Sequence, residues 1–89
     1  MTLYILHYAS IDEEGALSID CQGPFKSLEE ARQQQSNLLL AFQSEHPHFS
    51  NPIEESCGTF HRIAYTGHLT EIQTHIKEIE TWLPAHYLG

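Results

Sequence analysis

The segment Leu69-Thr70-Glu71-Ile72-Gln73-Thr74-His75-Ile76-Lys77-Glu78-Ile79-Glu80-Thr81-Trp82-Leu83 decides how the rest of the chain is read. Leu69, Ile72, Ile76, Ile79 and Leu83 recur at intervals of three and four, the spacing of a narrow apolar stripe along a helix. Thr70 and Gln73 stand at capping-box spacing. Pro84 closes the segment, because the residue before a proline is steered away from helical angles. The pattern predicts a helix over 69–83, followed by a short tail at 85–89 that carries Tyr87 and Leu88.

Upstream, Thr59 to Thr66 reads as a strand whose apolar content is Phe60, Ile63, Ala64 and Tyr65, ended by Gly67. The stretch at about 45–58 holds two prolines and no periodicity, so it reads as one long loop that Phe49 and Ile53 pin to the body. Loops of that length are uncommon in small domains and are often either functional or mobile. Before it, Ser27 stands three residues ahead of Glu30, the spacing at which each side chain satisfies the other's free backbone N–H. A helix follows to about Ser44. Leu28, Ala31, Leu38, Leu39 and Phe42 form its apolar side, and Gln33, Gln34 and Asn37 stay outside.

The N-terminal third reads as a hairpin. Leu3 to Ala9 is apolar on both alternating faces, as an internal strand is. Asp12-Glu13-Glu14-Gly15 makes the turn, and Leu17, Ile19 and Cys21 alternate with Ser18 and Asp20 until Gly23-Pro24 breaks the second strand. The order β-β-α-β-α implies a small single α+β domain over residues 1–89. It would be a three-stranded antiparallel sheet of order 2-1-3 with two helices on one face. Tyr4, Leu6 and Tyr8 would then point to a bare second face, an exposure that calls for a partner.

Composition narrows the function. Four Lys and Arg against 12 Asp and Glu give a formal charge of −8 in 89 residues. Charged residues make up 18% of the chain, below the usual quarter or so, so the acidity comes from missing lysines more than from surplus carboxylates. Four cations are too few for direct nucleic-acid binding or for docking on an anionic membrane. Met1 to Ala9 lacks the basic region and cleavage site of a signal peptide, which points to a cytoplasmic address. Cys21 and Cys57 are 57 − 21 = 36 positions apart and read as free thiols.

Seven histidines stand out. His46 and His48 share a loop, Cys57 and His61 are four apart, and Glu71 and His75 fall one helical turn apart. None of these spacings is a zinc signature, so no metal site is expected. Protonating all seven would move the charge from −8 to −1, which would make any acidic contact surface pH-sensitive. No nucleophile and base form a recognisable set, and no glycine-rich cofactor loop is present, so neither catalytic residues nor cofactors are expected.

The expectation is therefore a non-catalytic regulator or inhibitor that binds a protein with a basic surface. One version blocks a nucleic-acid groove of its partner in the manner of phage anti-restriction or anti-CRISPR inhibitors. Its candidate contacts are Asp12, Glu13, Glu14, Glu54 and Glu55, with Tyr8 and Trp82 as apolar anchors. The alternatives are a small dimeric enzyme or ligand carrier using His7 and His61, and self-association into a homodimer through the bare sheet face.

Overall fold

In the computed structural model, which describes residues 1–81, the chain runs β1 (Thr2–Ile11), β2 (Leu17–Phe25), α1 (Leu28–Glu45), β3 (Pro52–Cys57), β4 (Phe60–Tyr65) and β5 (Glu71–Glu80). The strands form one antiparallel sheet of order β2-β1-β5-β4-β3. This overturns the three-stranded sheet with two helices: there are five strands, and α1 is the one helix among the described residues. Trp82 and the tail at 85–89 lie outside those residues.

The decisive correction is at 69–83, where the expected helix is β5. The three-and-four spacing of its isoleucines coexists with a period-two pattern, Thr70, Ile72, Thr74, Ile76, and all four of these residues are buried. Glu71, Gln73, His75 and Lys77 alternate with them toward solvent. Threonine is polar by composition, but it is β-branched, and half of residues 70–81 are Thr or Ile. Such side chains lose rotamer freedom in a helix and pack well on a pleated surface. Pairing on both sides then settles the conformation: every residue of β5 is matched to β1, and residues 71–75 are also matched to β4.

The expected loop at 45–58 contains a strand. Every residue of β3 is exposed, so burial leaves no apolar alternation there to read. What makes it a strand is its pairing with β4 across the two-residue turn Gly58-Thr59, where Gly58 takes φ +59. Phe49 packs against the core, as expected of a pin, whereas Ile53 remains 41% exposed. At the other edge, β2 continues past Gly23-Pro24 to Phe25 instead of stopping. Proline is tolerated because β2 is an edge strand. The ladder shifts register between Tyr4 and Leu6, opposite Gly23 at φ +126, where an added Cβ would lie 3.0 Å from the Tyr4 carbonyl oxygen.

The elements read correctly are those specified locally. Ser27 caps α1 by accepting the Glu30 N–H at 3.1 Å. The Asp12 carboxylate accepts the N–H groups of Glu14 and Ala16, both at 2.9 Å, and Gly15 takes φ +86 to close the β1–β2 turn. β1, read as internal, lies between β2 and β5.

α1 covers one face of the sheet through Ala31, Leu39 and Phe42, which pack with Leu6, Ile63, Tyr65, Ile72 and Ile76. Tyr4, Leu6 and Tyr8 therefore face the helix, and the residues on the bare face are Ile5, His7 and Ala9, the reverse of the expected orientation. Within the helix–sheet interface, buried Gln35 donates from Nε2 to Thr74 Oγ1 at 2.8 Å and to the Thr59 carbonyl at 2.9 Å. Thr74 Oγ1 in turn donates to the His61 carbonyl at 2.9 Å. One side chain of α1 is thereby tied to β5 and the β3–β4 turn.

Two outcomes follow from this alternation. Ile76→Ala is expected to cost about 3 kcal/mol in urea denaturation, as core truncations do, whereas Ile79→Ala, at a 37% exposed position, costs under about 1 kcal/mol. A helical stripe would make the two comparable. Gln35→Leu and Thr74→Val each cost about 1–2 kcal/mol, and the double variant costs less than their sum because both remove the same hydrogen bond.

Candidate functional site

The expected acidic contact set divides among several places. Asp12 is occupied as the turn-former described above. Glu13 Oε1 lies 3.3 Å from His46 Nδ1 and 3.2 Å from His48 Nε2, so it clips the β1–β2 turn to the chain that leaves α1. Glu54 and Glu55, adjacent in sequence, fall on opposite faces of β3. Glu54 accepts from Gln43 Nε2 of the helix at 3.2 Å, and Glu55 accepts from Arg62 Nη1 at 3.1 Å on the bare face. Tyr8 is half-buried against the helix-side core. Trp82 is outside the described residues. Of the set, the Glu14 side chain is the one without a partner among the described residues.

His46 and His48 belong to a cluster of rings at the end of α1. Phe49 stacks on His68 with centroids 4.0 Å apart and on His46 at 5.5 Å, and it meets His48 and Tyr65 edge-on at 4.3 and 5.2 Å. Phe42 meets His46 edge-on at 4.9 Å. Burial, and secondarily the Glu54 carboxylate, pushes the Tyr65 phenol up. These contacts close the end of the core.

The sheet's bare face is a second assembly, ordered by cross-strand register. One row runs Cys57, Phe60, His75, His7, Cys21 from edge to edge, and the next runs Glu55, Arg62, Gln73, Ala9, Ile19. His7 and His75 are thus direct neighbours, a pairing that a helix at residue 75 would not produce. His61 pairs with Thr74 and lies on the helix side, so His7 and His61 are on opposite faces of the sheet. A shallow cavity of about 200 Å³ lies among His7, Ala9, Ile19, Phe60, Gln73 and His75. Ligand pockets usually offer about 300–1,000 Å³. Both thiols are exposed, and among the described residues no three His, Cys, Asp or Glu come together in a way that could hold a metal ion.

No family model, no curated protein and no solved structure matches the chain. No helix among the described residues is long and apolar enough to cross a membrane.

The best-made charge contact also lies on the bare face. Arg62 Nε donates to Glu71 Oε2 at 2.7 Å, and Gln73 Nε2 donates to the same oxygen at 3.0 Å. The Arg62 bond, then the Gln73 bond, holds the Glu71 carboxyl below the usual carboxylate range. Because the folded pKa is lowered, the stabilisation is complete at neutral pH, above the pKa of the unfolded chain, and disappears as pH falls through the folded value. Arg62→Met is expected to cost about 1 kcal/mol at pH 7, the upper range for a partly exposed ion pair. Urea denaturation at descending pH should show variant and wild type converging once Glu71 is protonated in both.

Proposed function

We propose that this chain is a small acidic binding protein that engages a basic surface of a partner protein through the helix side of its fold and performs no covalent chemistry. The observation that carries this reading is the distribution of charge. On the bare face, Arg62 and Lys77 offset Glu55 and Glu71, for a sum of zero. The other ten carboxylates, set against Lys26 and Arg32, account for the whole −8. They lie on α1, the turns, the sheet edges and the helix-facing side of the strands. A strongly one-signed surface steers an oppositely charged partner and suppresses like-charged ones.

Glu29 and Glu30, exposed in the first turn of α1, and Glu14 in the β1–β2 turn are the contacts this reading favours, because their side chains have no partner among the described residues. The carboxylates already engaged, Asp12, Glu13 and Glu54, shape that same side. In this reading His7 and His61 do not form a joint catalytic site, since they lie on opposite faces of the sheet.

The test is capture on the immobilised full chain from its native cell at graded salt, with Glu14→Gln/Glu29→Gln/Glu30→Gln alongside. Retained proteins should be basic, should elute as salt rises from 0.05 to 0.5 M, roughly the range over which screening collapses exposed-charge attraction, and should bind the triple variant about tenfold more weakly. Retention unaffected by both salt and the charge substitutions would refute the reading, as would turnover of a small compound that disappears with His7→Ala.

A further inference from the structure

The bare sheet face calls for a different occupant from the acidic side. Leu17, Ile19, Ile53 and Ile79 all project from it, at 60, 75, 41 and 37% exposure, which is four of the seven large hydrophobic residues exposed among those described. Ile5, Ala9 and Phe60 fill the space between them, half-buried. An apolar surface of this extent on one side of a sheet marks a contact site.

Charge selects the occupant. The face sums to zero while the rest of the molecule carries −8. A basic or acidic partner finds no net charge to recognise on it, whereas two copies of this chain can meet there without setting surplus carboxylates against each other. Any meeting through the helix sides would do the opposite. A second copy also supplies a face of the same five-strand width, and sheet faces pack on one another about 10 Å apart with strand directions within about 30°. We therefore infer that the bare face is a self-association surface, on which two copies pack sheet against sheet as an isologous dimer with the helices outside. His7 and His75 lie at the centre of the interface, and Cys21 and Cys57 mark the ends of its central row. The dimer would present two acidic helix sides facing away from each other.

Sedimentation of the full chain from 1 to 500 µM under reducing conditions tests this, at pH 8, above the ordinary imidazole range. A monomer–dimer equilibrium is expected, weakened at least tenfold by Ile19→Asp and unchanged by Leu40→Asp, which is 62% exposed on the helix. Both positions are exposed, so both variants are expected to fold, which circular dichroism checks. Iodoacetamide modification of Cys21 and Cys57 should slow as wild-type concentration rises, and should not slow in Ile19→Asp. Raising salt should tighten the dimer by screening repulsion between two chains of −8, the opposite sign from capture of a basic partner, so the two proposals fail separately. A monomer at 500 µM overturns the inference. So does a dimer broken by Leu40→Asp and not by Ile19→Asp, or thiol modification independent of concentration.

Discussion

The structure depends on the alternation of β5. It joins the β1–β2 hairpin to the β3–β4 hairpin, pairing along its full length with β1 and over residues 71–75 with β4. Its inward set, Ile72, Thr74 and Ile76, continues the alternation begun by Thr70 just before the strand and forms the floor on which α1 rests. A slip of one residue would expose that set and bury Glu71, Gln73, His75 and Lys77. Gln35 guards against the slip, because its two hydrogen bonds into the sheet are available in one register only. Thr70 shows the cost of the arrangement: its hydroxyl is buried without a hydrogen-bond partner among the described residues, the penalty for using threonine as a β-branched filler.

The same alternation sorts the chemistry. Once β5 is a strand, His75 comes beside His7, Arg62 reaches Glu71, and residues adjacent in sequence such as Glu54 and Glu55 are separated by the thickness of the sheet. The result is a two-sided molecule. One side is acidic and helical, suited to attraction at a distance. The other is neutral and apolar, suited to close packing. A surface that works by long-range charge is sensitive to screening, and one that works by burying apolar area is not, so each side has its own physical signature.

The histidines illustrate how context divides one residue type among several roles. His46, His48 and His68 join aromatic rings around Phe49, His61 sits on the helix side of β4, and His7 with His75 forms part of the bare face. Abundance in the composition invites one shared explanation, but the topology divides the six histidines among the described residues between three environments.

Features whose physics is complete within a few residues were legible from sequence. The Asp12–Gly15 turn, the Ser27 cap, the amphipathic helix behind it and the strand ending near Gly67 each depend on local hydrogen bonds, backbone angles or short-range alternation. So was the net charge and its origin in scarce lysine. Residues 69–83 satisfied two periodicities at once, and only pairing with β1 and β4 chose between them. β3 has no buried residue and exists because β4 offers an edge. The location of the charge, the partner of His7 and the identity of the bare face all follow from those two strands. They were decided by tertiary structure because strand pairing is a contact between distant segments, and a local pattern of side chains does not encode which segment will be the neighbour.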